Sequence, residues 1–306
     1  ANKEQRQSRT FAEFAEKVGL ADQCAERFAA LIECAEDNPD AVEKKRREYE
    51  RLRASAEYER ERWAADTWCA AFFWPLSKEQ AEKVPTTETV RLVRSHGKNA
   101  LPEEIQKEIH SLAEKYRFFH WHLEFPEVFK EGGFDCVLGN PPWEVMTLNE
   151  IEFFTFRDPI IAKTAGSERK KLIKNLKKIN PILYTEYISA LSEKQRLTSF
   201  IKNSGRFPLT SIGKINTYSI FAEHSRKILS NYGRAGIIVP TGIATDATTA
   251  AFFGDLVDRA SLVSLYDFEN REKLFPIDSR MKFCLLTMAG SRARSSAFDL
   301  AFFLHK

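Results

Sequence analysis

The sequence predicts an α/β protein in which a mostly helical region precedes the carboxyl-terminal half of a sheet. The first 120 residues show apolar spacing and capping signals that are typical of helices. After residue 130, short apolar segments rich in β-forming residues alternate with helical patterns, as in α/β sheets. The last two of these segments are close enough along the chain to pair antiparallel. We therefore expect about four strands with an antiparallel edge.

Several signals support the helical region. Capping boxes are predicted at Thr10 and at Asp40, each followed by a glutamate three residues later. The densely charged stretch 43–62 predicts one long, solvated helix. Pro102 fits the first turn of another helix, and the aromatic stretch 67–75 is predicted to be buried in a core.

The strands of the sheet are predicted from four apolar runs, and the first of them is expected to be buried. Helices are expected between them, near residues 218–230 and 247–257. A long insertion that includes a basic segment is expected near 145–215, inside a catalytic half that spans 121–306. The predicted strands are 134–139, 235–240, 262–268 and 282–288.

Composition limits the class of protein. The chain has 306 residues, of which 43% are hydrophobic and 29% charged, as in globular proteins. Its net charge of +3 does not by itself indicate nucleic acid, so any such surface must be local. Five cysteines without C-x-x-C spacing argue against a disulfide framework and a structural zinc site. No segment has the apolar length of a membrane span. We therefore expect a cytoplasmic protein.

The stretch FDCVLGNPPWE, residues 134–144, carries the main functional signal. An apolar strand ends at Gly139 and is followed by Asn140, Pro141, Pro142 and Trp143. In an open α/β sheet, reactive groups lie just beyond the carboxyl ends of the strands. The prolines remove two N–H donors and leave carbonyl acceptors, the asparagine adds an amide oxygen, and the tryptophan adds a flat apolar face.

Converging acceptors beside an aromatic plate suit a planar ring that carries an exocyclic amino group. Such an amine is a poor nucleophile because its lone pair is delocalised into the ring. Two directed hydrogen bonds would hold the nitrogen closer to tetrahedral geometry and expose the lone pair, so catalysis would rest on positioning and electrostatics. In duplex DNA the base must first be flipped out of the stack.

Asn140-Pro141-Pro142-Trp143 after an apolar strand resembles the catalytic motif of N6-adenine DNA methyltransferases that use S-adenosylmethionine. Further segments resemble blocks of the large restriction–modification and phage-defence enzymes of this kind, so that the resemblance covers roughly residues 118–290. It implies that Asn140, Pro141 and Trp143 hold the target adenine and that the Gly139 backbone borders the methyl donor. Asn216 and Tyr218 fall in a second such block, whose role the sequence does not assign. The further segments are 124–129, 205–210, 215–229, 236–253 and 265–276.

The sequence departs from this family in one respect. A glycine-rich turn that would cradle the donor is found neither before residue 130 nor after residue 144. We therefore expect the chain to be the middle and end of a larger catalytic domain, with the upstream donor-binding half and a separate target-recognition domain lying elsewhere. The helical residues 1–120 would be an insertion between the two halves, and the chain alone would bind the donor weakly or not at all.

A basic segment follows the motif, with one acidic residue, Glu168, among its lysines and arginine. It is either a solvated helix face or a helix that contacts DNA phosphates near the flipped base, and its position favours DNA. Such contacts would add salt-dependent affinity and no sequence choice. The predicted DNA-contacting residues are Lys163, Arg169, Lys170, Lys171, Lys174, Lys177 and Lys178.

Other chemistry-bearing residues have a structural interpretation. His120 and His122 lack a third convergent ligand, so packed core histidines are predicted and no metal site. Asp135 is as readily a strand residue that caps a turn as a functional one. Arg271, with Asp278 and Arg280 nearby, predicts a salt-bridged hairpin.

Phe252 and Phe253 are predicted to be core residues, although an aromatic side chain from this segment could line a base pocket instead.

Three functions remain open at the level of the sequence. The first is DNA adenine N6-methylation with double-stranded DNA as partner. The second is methylation of another planar amide or amine, such as a protein glutamine or an rRNA base, because the same type of motif serves those substrates. The third is a non-catalytic interaction module in which the helical region docks a partner.

Overall fold

A computed structural model describes residues 22–75, 77–276, 278–294 and 297–305. The predicted capping box at Thr10 lies outside these residues. The helices of the first part are α1 Asp22–Ile32, α2 Pro39–Arg53, α3 Ala56–Phe73, α4 Lys78–Ala81, α5 Thr87–His96, α6 Glu103–Tyr116, α7 Trp121–Glu124 and α8 Pro126–Lys130, with a 3-10 turn at Lys98–Ala100. The later helices are α9 Glu150–Thr155, α10 Pro159–Lys163, α11 Gly166–Ile179, α12 Pro181–Asn203, α13 Thr217–Lys227, α14 Gly242–Thr245 and α15 Ala250–Asp258.

Helix α2 begins earlier than the sequence signal indicates. Asn38 is its N-cap, and the Asn38 side-chain oxygen accepts a hydrogen bond of 2.8 Å from the Ala41 backbone N–H. Pro39 occupies the first turn, where its missing donor costs nothing. The predicted capping box at Asp40 is therefore wrong, because a cap two residues upstream already satisfies the exposed donors. Asp40 instead lies in the first turn, where its charge favours the helix.

The single long helix predicted for residues 43–62 is also wrong. Helix α2 ends at Arg53 and α3 begins at Ala56, because Ser55 caps α3 through a 3.3 Å hydrogen bond from the Tyr58 backbone N–H. The charge pattern on both sides of this break is continuous, so it conceals the local capping signal.

Burial of the aromatic stretch 67–75 is confirmed. Trp68, Phe73 and Trp74 are buried in one cluster with residues of α5 and α6. The predicted helix after Pro102 is present as α6, with Ile109 and Leu112 buried.

One sheet of five strands follows, in the order β1-β2-β4-β3-β5. Strands β1 and β2 pair parallel, β4 pairs antiparallel with both β2 and β3, and β5 pairs parallel with β3. The α/β class is confirmed, and so is the antiparallel pairing of the last two predicted strands. The antiparallel strand lies inside the sheet, however, and a fifth strand forms the edge. The strands are β1 Phe134–Gly139, β2 Leu229–Pro240, β3 Leu262–Glu269, β4 Lys282–Ala289 and β5 Asp299–Leu304.

Strand β1 is not the buried strand that its apolar sequence predicts. It pairs with β2 along one edge only, and Asp135, Cys136, Leu138 and Gly139 are exposed. The Leu138 side chain is 79% exposed. A strand of a parallel sheet is normally covered on both faces. The apolar sequence of β1 is therefore typical of a strand that is packed on both faces, whereas the described residues leave much of β1 exposed.

The helical part packs directly on the start of the sheet. The Trp121 ring lies 5.6 Å from that of Phe134 and 5.8 Å from that of His224, measured between centroids. Farther along, Phe200 of α12 packs against Trp68 and Phe73 of α3. These aromatic contacts join the helical part to the elements around the first strand. Among the described residues, no helix is both long and apolar enough to span a bilayer.

Candidate functional site

A pocket of ≈330 Å³ lies directly beyond the carboxyl end of β1. Asn140, Pro141, Pro142 and Trp143 form one wall. Since β1 and β2 run parallel, this is also the edge at which β2 ends. The four residues of the motif, which the sequence predicts to act together, therefore share one concave surface.

The loop that carries the motif is held by the start of α13. The Thr217 hydroxyl donates to the Pro142 carbonyl oxygen at 2.6 Å and accepts from the Glu144 backbone N–H at 2.9 Å. The Thr217 backbone N–H donates to the Glu144 carbonyl oxygen at 2.8 Å. An isolated bridge pairs Val145 with Asn216. One threonine thus fixes the path of the chain on both sides of Trp143.

The second sequence block now has a structural role. Asn216 is the N-cap of α13, and its side chain accepts from the Tyr218 backbone N–H at 3.3 Å. Tyr218 is buried in the sheet core, and burial, together with the negative charge of Asp246, raises the pKa of its phenol to about 12. Asn216 and Tyr218 therefore anchor the helix end that presents Thr217. Sequence reasoning did not single out Thr217, although it lies between the two.

The other wall of the pocket comes from the connection between β3 and β4. Phe275 and Pro276 line it opposite the motif. The fully buried Asn270 shapes this connection, because its amide accepts from the Phe275 backbone N–H and donates to the Phe275 carbonyl oxygen, both at 3.0 Å. Sequence reasoning missed Phe275 and Pro276 as wall residues. The available signal was an aromatic–proline pair at the tip of a predicted hairpin on the same sheet edge.

Trp143 is partly buried and packs against the sheet core. Its indole Nε1 is buried, and no described residue accepts a hydrogen bond from it. A buried donor without an acceptor is unusual in a folded protein. Trp143 therefore combines a fixed apolar ring with an unused donor at the wall of the pocket.

The described residues around Gly139 do not enclose a space for S-adenosylmethionine. Gly139, predicted to border the donor, has no atom within 4 Å of the position that a Cβ would occupy. It faces open space at the uncovered edge of the sheet, and so does the neighbouring Leu138.

The basic segment forms α10 and α11. Lys163, Lys170, Lys174, Lys177 and Lys178 are exposed, and none has an ion pair with another described residue.

Two residues of the predicted basic set differ from these lysines. The Arg169 side chain is 14% exposed, and its guanidinium donates to the carbonyl oxygens of Ile161 and Ala162, each at 3.2 Å. Lys171 pairs with Glu168 at 2.7 Å. Arg169 therefore holds α10 against α11, and its charge is directed into the protein.

The remaining candidates have structural partners. Asp135 accepts from the Ser230 hydroxyl at 3.0 Å. The buried His120 ring hydrogen-bonds to Asp66 at 2.8 Å. Phe252 is fully buried in the sheet core.

The arginines of the hairpin pair with local carboxylates, Arg271 with Glu269 at 2.6 Å and Arg280 with Asp278 at 2.7 Å. Within the described residues, no three His, Cys, Asp or Glu side chains converge as metal ligands would.

The model of the Eco57I restriction-modification methylase family matches residues 76–201, which include the whole motif. The predicted resemblance to restriction–modification methyltransferases is confirmed over this range, which covers fewer than half of the residues. No curated protein sequence matches the chain.

Two solved structures are similar at low scores. A chain of the cryoEM structure of the DrdV–DNA complex aligns with a TM-score of 0.30 and 10% identity, over 82% of this chain and 23% of that one. A crystal structure described as a class I S-adenosylmethionine-dependent methyltransferase, from Listeria monocytogenes, aligns with a TM-score of 0.26 and 11% identity. This second alignment covers 92% of this chain and 94% of that one. The chain thus spans about a quarter of the length of the DrdV chain.

Proposed function

We propose that this chain carries the target-base half of an S-adenosylmethionine-dependent DNA adenine N6-methyltransferase of the restriction–modification or phage-defence type. The observation that supports it most is the pocket in which Asn140 and the two prolines lie beside Trp143 at the carboxyl edge of the sheet. The family match, which includes these four residues, supports the same conclusion.

The acceptors in the pocket are suited to an exocyclic amine. The Pro142 carbonyl oxygen already accepts from Thr217, whereas no described residue donates to the Pro141 carbonyl oxygen. The Asn140 side-chain oxygen and the Pro141 carbonyl oxygen would therefore accept the two N–H bonds of a flipped adenine. Trp143 would stack on the ring. Held in this way, the nitrogen presents its lone pair, and no covalent intermediate with the protein is needed.

The lysines of α10 and α11 favour DNA over a protein amide. They follow the motif in the chain, and all of them except Lys171, which pairs with Glu168, have no counter-charge among the described residues. A polyanion would supply that counter-charge, and the resulting contacts would be independent of base sequence. The donor would be bound by an upstream half that covers β1 in the longer protein, and base choice would lie in a separate recognition domain.

The test is transfer of labelled methyl from S-adenosylmethionine to unmethylated DNA, by this chain and by a form extended upstream. We expect label on adenine N6 from the extended form alone, and its loss in Asn140→Ala. Asn203→Ala, which removes an exposed asparagine at the end of α12, serves as the control. Absence of label from every form, or full label from Asn140→Ala, would exclude the proposal. Label on protein or RNA would identify another planar amine as substrate.

A further inference from the structure

A second pocket lies at the opposite edge of the sheet, at the starts of β2 and β3 and the end of β4. Its volume is ≈170 Å³, and three arginines line it, Arg226, Arg259 and Arg294. No acidic side chain is among its lining residues. Because β1 and β2 run parallel and the methylation motif follows the carboxyl end of β1, this arginine pocket is separated from the motif by the length of the strands.

Two of the guanidinium groups are fixed by a single carboxylate. Asp255 accepts from Arg226 at 2.6 Å and from the Nε of Arg259 at 2.7 Å. One negative charge thus faces two positive ones. Arg259 is held through Nε, and no group in the described part of the chain accepts from its two terminal nitrogens. Asp255 itself does not line the pocket.

The third guanidinium is held by a backbone group. Arg294 donates through Nε to the Ser291 carbonyl oxygen at 3.0 Å, and its terminal nitrogens have no acceptor among the described residues. A carbonyl oxygen carries no formal charge. The three arginines and Asp255 together therefore keep a net charge of +2 around a cavity that is only partly open.

The side-chain amide of Asn231 adds an uncharged N–H donor to the three guanidinium groups. The Ser291 hydroxyl donates to the side-chain oxygen of Asn231 at 2.6 Å. This hydrogen bond fixes the orientation of the amide, because the oxygen accepts from Ser291 and the amino group is left to donate. Asn231 lines the pocket. The polar groups left available in the pocket are thus predominantly N–H donors, on side chains that are each held by one hydrogen bond.

We propose that the arginine pocket binds a phosphate group as a dianion. A phosphate has only acceptors on its unprotonated oxygens, and arginine forks match its geometry with paired hydrogen bonds. The preformed guanidinium positions reduce the ordering cost of binding. The ligand is either free phosphate or a nucleoside monophosphate, and both present the same group. This site is independent of the proposed methylation site.

Binding can be measured by calorimetric titration of the chain with inorganic phosphate, at constant ionic strength maintained with sodium chloride. We expect saturable binding at one site. We also expect Arg294→Gln to weaken it at least ~10-fold, because a charge-assisted pair of hydrogen bonds is lost. Arg294→Lys should retain part of the affinity through its charge. Arg91→Gln removes an exposed arginine of α5 that pairs with Glu88 and should bind as the wild type does.

Arg259→Gln provides a second variant, since Arg259 also lines the cavity. Thermal melting without phosphate reports whether loss of the Asp255 hydrogen bond unfolds this variant. Titration with a nucleoside monophosphate and with the corresponding nucleoside separates the two sources. Tighter binding of the monophosphate than of phosphate would identify a nucleotide. Equal binding would identify the free ion. The proposal would be overturned if titration with phosphate gave no more heat than titration with sodium chloride. It would also be overturned if both arginine variants bound phosphate with wild-type affinity. Asn140→Ala should leave phosphate binding unchanged, so this test is independent of methyl transfer.

Discussion

At the scale of single residues, the path of the motif loop depends on Thr217. Its hydroxyl makes one hydrogen bond on each side of Trp143, to the Pro142 carbonyl oxygen and from the Glu144 N–H. No other described side chain bonds to this loop from both sides. The geometry of the acceptors that would hold the amine is thus determined by a residue that does not line the pocket. Thr217 is a positioning residue for the proposed reaction.

Thr217→Val keeps the shape of the side chain and removes both hydrogen bonds. We expect the methyl-transfer rate of the upstream-extended protein to fall roughly 10- to 100-fold, because small displacements of reacting groups are costly. The free energy of unfolding should fall by only about 1 kcal/mol. Single-turnover kinetics and chemical denaturation measure the two effects. Thr185→Val, which removes a hydroxyl that bonds within α12, is the control and should retain the full rate.

At the scale of elements, helix α11 presents an exposed cationic stripe beside its buried side. Lys170, Lys174 and Lys177 are spaced four and three residues apart and so share one face. Ile173 and Leu176 pack into a separate core with α9, α10 and α12. Because the stripe has no counter-charge among the described residues, it is available to phosphates.

Replacing Lys170, Lys174 and Lys177 together by glutamine should weaken DNA binding at low salt. If all three contact phosphates, the slope of log affinity against log salt should become shallower by about 2–3. Fluorescence anisotropy with unrelated duplexes at several salt concentrations measures it. A matched variant removes Lys44, Arg91 and Lys107 from the helical part and changes net charge equally. An equal loss of affinity in both variants would show that overall charge, and not α11, determines binding.

The elements also show what the sequence can reveal. Alternating β-rich runs and helical spacing predicted four strands and their class, because these patterns follow from which faces are buried. The fifth strand, Asp299–Leu304, and the interior position of β4 are set by pairing between distant segments, which local patterns do not encode. The burial of β1 was predicted wrongly for a related reason. The apolar composition of β1 is that of a strand with both faces packed. Its burial, however, depends on neighbouring segments that the sequence of the strand does not specify.

The site shows the same division. Asn140 and Trp143 are predicted as site residues because an amide and an indole each indicate a definite chemistry. Phe275, Pro276 and Thr217 were missed, because each acts through its position beside a loop that is distant in the chain.

At the scale of the whole molecule, the uncovered edge of β1 is where the proposed donor half would dock. Leu138→Asp places a charge at a side chain that is 79% exposed. We expect the melting temperature of this chain to change little, since few contacts are lost. In the upstream-extended protein, where we propose that Leu138 is covered, the same change should lower stability by roughly 2 kcal/mol or more. It should also abolish transfer. Ile212→Asp, at another exposed apolar side chain, is the control.

Unchanged stability and activity of the extended Leu138→Asp form would contradict docking at this edge.

The junction between the helical part and the sheet contains two partly buried histidines. Partial burial, together with the neighbouring His120 and the positive charges of Arg206 and Arg94, lowers the pKa of His122 from 6.5 to about 3. Burial, with the charges of Arg206 and Lys227, lowers the pKa of His224 to about 4. Both imidazoles are therefore neutral in the folded protein near pH 7.

These two histidines predict that the free energy of unfolding begins to fall at a pH well above that at which carboxylates titrate. Since the folded pKa lies below the unfolded value, the unfolded chain binds protons first as the pH falls through 6.5, and stability is lost from there towards pH 4. At pH 5.5 each histidine should cost about 1.4 kcal/mol relative to pH 7.5 or above. Urea denaturation between pH 7.5 and 5 measures this slope. His122→Gln with His224→Gln should flatten it, whereas His96→Gln, at an exposed position, should leave it as in the wild type. A slope that the double variant retains would place the acid-sensitive groups elsewhere than at the junction.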